Sequence, residues 1–182
     1  MSTPFSTLVA YLEKQSWSFD ADEDSKLVRW GIAGEHAHVH CIAGINEDDD
    51  LLQVFIVMPI RVPEEKRLEV AEFCARATYG MKIGRFETDL DDGEVRVHAS
   101  APFRTGDLPE EVVHQCVGIS LLLGDHYFPD LMSVVFGDTD PDAAVANASA
   151  RLQDREAMDD ALAEVDEDED EDSENEEEPP FR

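Results

Sequence analysis

The sequence predicts an α+β domain in the order helix, three-stranded antiparallel meander, helix, β-hairpin, helix (αβββαββα), followed by a C-terminal helix and a disordered acidic tail. Three observations predict it. An apolar run, Leu51 to Val62, leads directly into an amphipathic helical pattern. A second stretch, Lys82 to Phe103, alternates on both sides of Asp91-Asp92-Gly93, as a hairpin does. The connections among the strands before residue 62 are too short for a parallel return, which needs roughly a dozen residues of crossover, so those strands run antiparallel. The expected boundaries are residues 1–137 for the domain, 138–165 for the C-terminal helix and 166–182 for the tail.

At the start, Ser6 or Thr7 can cap a helix whose apolar stripe is Phe5, Leu8, Val9 and Leu12, before Trp17 and Phe19 turn inward. Asp20 to Ser25 reads as an acidic connector. Leu27, Val28, Trp30 and Ile32 suggest a first strand, Gly34 and Glu35 a tight turn, and Ala37, Val39 and Cys41 one face of a second strand. Asn46 to Asp50 makes the next turn. In the run from Leu51 to Val62 only Gln53 and Arg61 are strongly polar, so it reads as a strand covered on both faces or lying flush against a partner. Pro63, Glu64 and Glu65 open a helix with apolar positions Leu68, Ala71, Cys74, Ala75 and Thr78, closed by Gly80. The hairpin has Phe86, Thr88 and Leu90 alternating in one arm and Val95, Val97, Ala99 and Ala101 in the other. Pro109 opens a helix running to Gly124, and Leu131 to Phe136 forms a further helical segment after Tyr127, Phe128 and Pro129 break the pattern. Beyond Gly137, Asp138 or Thr139 with Pro141 begins the C-terminal helix, with a thin apolar face of Val145, Ala148, Leu152, Leu162 and Val165.

Charge narrows the partners. The chain of 182 residues has a formal net charge of −29. Residues 164–178 hold 12 acidic and no basic groups, which leaves 31 acidic against 13 basic in residues 1–163, a net of −18. Such a field repels nucleic acid and anionic membrane and attracts cations and basic segments. The tail cannot bury enough apolar surface to fold; it serves solubility or the recruitment of basic clients. The N-terminus has no secretory pattern and no stretch reaches the roughly 20 apolar residues of a membrane span, so a cytoplasmic location is expected. Cys41, Cys74 and Cys116 are odd in number, far apart and set among apolar residues, as buried thiols are in a reducing compartment.

The segment Gly84 to Ser100, followed by a helix and then Asp125 to Gly137, resembles the YbjN-domain family, bacterial proteins labelled sensory transduction regulators. Gly84, Phe86, Asp91, Gly93, Glu94, Val95 and Arg96 carry the likeness in the hairpin, and Tyr127, Phe128, Pro129, Val134 and Gly137 carry it beyond. That family is similar in fold to the type III secretion chaperones, small acidic dimers that hold unfolded protein segments along apolar grooves. The resemblance implies a non-enzymatic protein-binding module, chaperone-like or a regulatory adaptor, with no active site or cofactor to carry over. It implies a homodimer and a protein partner or client, basic or partly unfolded, met through sheet edge and apolar groove. The candidate binding residues are Val54, Phe55, Ile56, Val57, Met58 and Ile60.

One constellation invites metal chemistry. On a strand, His36, His38 and His40 share a face beside carboxylates, a donor set suited to Zn²⁺ or Ni²⁺, and a metal-binding or metal-sensing role is the alternative function. Same-face residues lie nearly 7 Å apart, so pairs can share an ion while all three cannot without distortion. The competing reading is a solvated polar face with Ala37, Val39 and Cys41 inward. Asp89 to Glu94 lacks the calcium-loop pattern, and neither a nucleophile elbow nor a phosphate-binding glycine loop is present. Asp125 and His126 adjoin without a credible nucleophile, since Ser120 lies on an apolar helix face.

Overall fold

Strand β4 (Leu51–Arg61) alternates strictly in burial, with Leu52, Val54, Ile56 and Met58 inaccessible and Leu51, Gln53, Phe55 and Val57 half-exposed. A strand covered on both faces would not do this, so β4 has helices over one face only. It lies inside a six-stranded antiparallel sheet of order β1-β2-β3-β4-β6-β5, the others being β1 (Phe19–Asp22), β2 (Leu27–Ala33), β3 (His38–Asn46), β5 (Arg85–Thr88) and β6 (Glu94–Pro102). Helices α1 (Pro4–Lys14), α2 (Arg67–Thr78) and α3 (Glu110–Phe136) pack against the sheet and one another. The computed structural model describes residues 3–104 and 107–153, in which residues 141–153 form a further helix, α4. The chain divides into two compact units, Met1–Val145 and Ala146–Arg182. The expected tail, 166–182, and the C-terminal helix beyond residue 153 lie outside the described residues. Among those described, no helix is long and apolar enough to cross a membrane.

The register explains the core. Trp30, Cys41, Ile56, Val97 and Phe86 form one cross-strand row and Val28, Ala43, Val54 and Ala99 the next, all buried beneath the helices. Phe73 of α2 and Tyr127 of α3 meet Phe86 edge-on, ring centroids 6.1 and 5.2 Å away, closing the core at the β5 end.

The α+β order is the predicted one, with differences in detail. The acidic connector begins as a strand, because Phe19 to Asp22 pairs with β2 and its two aspartates sit on a short edge, where charge is tolerated. Thr3, not Ser6 or Thr7, caps α1, its Oγ1 accepting from the Ser6 amide at 3.1 Å while the Ser6 hydroxyl accepts from Thr3 in return. The inward face of α2 is Val70, Phe73, Cys74 and Ala77, which leaves Leu68 76% exposed; the short 3₁₀ turn at Glu64–Lys66 shifts the helical phase. Helix α3 is continuous for 27 residues through Gly124 and Pro129. Gly124 does not end it: a Cβ there would stand 2.9 Å from Met58 Cε and 3.1 Å from Ile56 Cγ2, so the glycine admits close approach to β4. Pro129 forgoes one helical hydrogen bond, while Tyr127 and Leu131 on either side are buried. Asp140, rather than Asp138 or Thr139, caps α4, accepting from the Asp142 amide at 2.9 Å. Gly93 turns the hairpin at φ +77°, where any Cβ would collide with Val62 backbone.

Candidate functional site: the open face of the sheet

The second face of the sheet has two cross-strand rows of its own. Arg29, Ile42, Phe55, His98 and Arg85 form one, and Gly31, His40, Val57, Arg96 and Glu87 the other. No helix of the described domain lies over them. The alternation that buries the β4 core residues therefore presents Phe55 and Val57 here, next to Ile42. This divides the candidate binding residues: Val54, Ile56 and Met58 are 0%, 0% and 2% exposed and hold the core, while Phe55, Val57 and Ile60 remain half-exposed. Beside the last group a shallow cavity of about 310 Å³ is lined by His40, Val57, Met58, Pro59, Ile60 and Arg61. It sits where the β4–β6 register shifts between Val57 and Arg61 and where Pro59 has no amide to donate.

At the β5 end, charged side chains organise the face. The Glu87 carboxylate accepts from Arg85 Nε and Arg96 Nε, each at 2.8 Å, and lies 2.9 Å from His98 Nδ1. Burial raises its pKa, but the His98, Arg96 and Arg85 contacts outweigh this and hold it at about 2. Arg96 also stacks its guanidinium over Phe55, 4.7 Å from the ring centroid, and the His98 ring lies 4.2 Å from the same ring. His98 is buried, and burial lowers its pKa; Glu87 opposes the shift while Arg85 and Arg96 add to it. Its Nδ1 is also 2.6 Å from Arg85 Nη2. One nitrogen cannot serve both neighbours. A guanidinium only donates, so the neutral ring accepts from Arg85 and keeps its proton on Nε2, which is buried without a partner among the described residues. A protonated ring would instead donate to Glu87 and press against Arg85.

The three histidines do not form one stripe. His36 precedes β3, in the turn, and its Nδ1 lies 3.2 Å from Asp125 Oδ2. His38 and His40 stand on the open face with ring centroids 6.2 Å apart. Glu35, His36 and Asp125 are the one group of three metal-capable residues brought together among the described residues. Their geometry is that of a clamp. Asp125 Oδ1 accepts from the His36 and Ala37 amides at 2.9 and 3.1 Å, and Oδ2 accepts from the Glu35 amide at 3.2 Å. With the His36 ring these contacts occupy the lone pairs a cation would need and tie the β2–β3 turn to α3. Burial raises the Asp125 pKa, and the hydrogen bonds more than reverse it, keeping the group below the ordinary aspartate range. The adjacency of Asp125 and His126 thus matters less than the contact to His36, about ninety positions away in the chain, which local sequence does not signal.

Arg85, Glu87, Arg96 and His98 escaped the sequence reading as a site, although its alternation marks them as the polar side of the hairpin. Folding the two arms about Asp91 to Gly93 would have found them, because it sets Arg85 opposite His98 and Glu87 opposite Arg96.

The free edges of the sheet are guarded. Thr78 Oγ1 accepts from the Phe86 amide on the outer side of β5 at 2.8 Å, and β1 at the other end is short and acidic.

Among curated proteins none matches the sequence. The crystal structure of YbjN, "a putative transcription regulator from E. coli", is similar at 16% identity with a TM-score of 0.46, covering 65% of this chain and 87% of that one. The family model of YbjN, described as "Putative bacterial sensory transduction regulator", matches residues 4–132, which span the sheet, α1, α2 and most of α3. With well over half its length matched by that model, the chain belongs to the YbjN family.

Proposed function

We propose that this protein is a non-enzymatic binding module, a regulatory adaptor or chaperone-like protein, that takes a protein segment on the open face of its sheet. One observation carries the reading: Ile42, Phe55 and Val57 form a half-exposed apolar strip on a face that no helix of the domain covers, on a chain otherwise rich in acidic groups. The family's description as a sensory transduction regulator supports the regulatory side. The guarded edges favour the face over strand addition. An apolar strip suits a partly unfolded client, and the acidic loops around it suit basic residues flanking the bound segment; nucleic acid and anionic membrane are repelled. Thiol chemistry has no part in this reading, since burial pushes Cys41 and Cys74 up to about 12 and Cys116 upward, away from the reactive thiolate. We place the module in the cytoplasm, where such thiols stay reduced.

Affinity capture from native lysate tests it, comparing wild type with Phe55→Asp at matched melting temperature. A stoichiometric partner lost in the variant is the expected result; equal capture by both removes the open face from the reading. A second reading, divalent-cation binding, rests on His38 and His40 alone, whose rings are close enough to share an ion. Equal zinc content in wild type and a His38→Ala, His40→Ala double variant after equilibrium dialysis ends it.

A further inference from the structure

Three side chains compete for the two oxygens of Glu87. Oε2 belongs to Arg96, whose Nε and Nη2 both stand at 2.8 Å. Oε1 accepts from Arg85 Nε at 2.8 Å and also lies 2.9 Å from His98 Nδ1. Arg85 is thus fixed at two points, Nε on Glu87 and Nη2 on His98 Nδ1 at 2.6 Å, and the second holds only while Nδ1 keeps its lone pair. A proton taken from solvent at Nδ1 makes that nitrogen a donor. It then fills Glu87 Oε1, Nε2 keeps the proton it already had, and the contact with Arg85 sets cation against cation.

No other charge intervenes. The charged groups facing His98 are Arg85 and Glu87 on β5 and Arg96 on its own strand, while β4 presents the uncharged Phe55 and no helix of the domain covers this face. Glu94 stands 3.7 Å from Arg96 and pairs with Arg61 instead, at 3.0 Å. Arg85 is 45% exposed and free to turn into water, whereas His98 is buried with its ring 4.2 Å from Phe55.

We propose that His98 is a proton-operated latch on the open face: the neutral ring holds Arg85 down and leaves the strip at Phe55 uncharged, and the protonated ring takes Arg85's place on Glu87, frees Arg85 and weakens the hold on a bound segment. The exchange at Glu87 stands by itself; its effect on binding rests on the segment-binding reading above. Two terms set that effect. A segment lying over Phe55 strips water from an imidazolium beside it, and the face gains one positive charge against a basic client. Burial opposes the proton in the free protein, so the latch is closed at neutral pH and opens on the acid side of the ordinary histidine value. Binding prefers the neutral ring; affinity is therefore full above the His98 midpoint and falls below it, by up to about tenfold per pH unit for one proton.

Nitrogen NMR of the full chain tests the exchange with no client present, between about pH 7.5 and about pH 5. The expected result is a neutral His98 protonated on Nε2, with an Arg85 guanidinium held above the His98 midpoint and freely rotating below it. A neutral ring protonated on Nδ1 overturns the latch, as does an Arg85 that does not respond at that midpoint. Arg85→Met should raise the His98 midpoint by at least about half a pH unit, and an unchanged midpoint is equally fatal. The effect on binding is read by calorimetry with an acetylated Lys-Leu-Phe-Leu-Lys amide, whose own charge is constant over this range. Its affinity should fall with pH in wild type and in the folded His38→Ala, His40→Ala double variant, and stay level in folded His98→Gln; a fall that survives His98→Gln overturns the coupling, and should His98→Gln not fold, Arg85→Met must move the fall up with the His98 midpoint. A peptide that binds at no pH tells against the segment-binding reading, and the exchange at Glu87 is then decided by the NMR alone.

Discussion

The two faces of β4 are built from neighbouring residues of one apolar run, and they meet opposite fates. Ile56 is fully buried between the sheet and α3, where Gly124 lets the helix backbone close in. Phe55, one residue earlier, is half-exposed, with Arg96 stacked on its ring and His98 beside it. Hydropathy alone does not distinguish them. What separates them is which side of the sheet receives helices. The same composition thus serves as packing on one side and as accessible surface on the other.

The largest expected effect breaks the comparison most directly. Ile56→Ala leaves a cavity in a close-packed core and should cost about 2–5 kcal/mol of unfolding free energy, against about 1 kcal/mol for Phe55→Ala, whose ring has less packing to lose. Urea unfolding of both variants measures this, and equal losses would mean that the open face is packed like a core. Next comes the Asp125 clamp. Asp125→Ala strands three turn amides and should cost about 1–3 kcal/mol, whereas His36→Ala, which removes only the ring contact, should cost less. If the two variants unfold at the same urea midpoint, the amides are not what the carboxylate is holding.

A smaller effect concerns protons on the open face. Burial depresses the His98 pKa in the folded state, so the unfolded chain binds more protons once pH drops below the ordinary histidine value of about 6.5, and stability falls in that window. Glu87 acts in a lower one: with its folded pKa at about 2 against 4.5 unperturbed, its contribution is present above 4.5 and is lost as pH falls towards 2. His98→Phe should flatten the upper window and narrow the lower one, since His98 is one of the contacts holding Glu87 down while Arg85 and Arg96 remain, as followed by urea midpoints at several pH values; a slope between neutral and mildly acidic pH that survives the substitution assigns it to other histidines. The smallest effect is at the edge. Thr78→Val removes the hydroxyl from the Phe86 amide and should cost about 1 kcal/mol while making the β5 edge available to another strand, with light scattering on concentration as the second readout. No change in either would show that the edge is guarded by something other than Thr78.

Much of this architecture is legible in the chain itself. Alternation about Asp91 to Gly93 marks the hairpin, and the positive φ at Gly93 is what glycine is there to supply. The passage from β4 through Pro63 into α2 follows from an apolar run meeting proline and glutamates, and the antiparallel order follows from short connections. These are local statements about period and turn chemistry, and they survive folding because the tertiary structure agrees with them. The face assignment of β4 was not legible, since Val54 and Phe55, or Ile56 and Val57, are equally apolar and only the placement of α2 and α3 tells them apart. The continuity of α3 was hidden for a related reason: Gly124 and Pro129 are breakers by propensity, overruled by burial of Tyr127 and Leu131. The edge strand β1 was masked by its acids, which mark a connector in sequence and an exposed edge in space.

The candidate site divides along the same line. By itself the sequence determined which residue types were on hand: an apolar strand, a set of histidines, a polar hairpin face and an acidic charge that sets the field around them. Only the tertiary structure decided that His36 leaves the histidine set for Asp125, that Arg85, Glu87, Arg96 and His98 gather beside Phe55, and that half of the apolar strand is core. The physical reason is that periodicity fixes a side chain's direction relative to its own strand or helix, whereas contact between distant segments depends on register and on where the helices land.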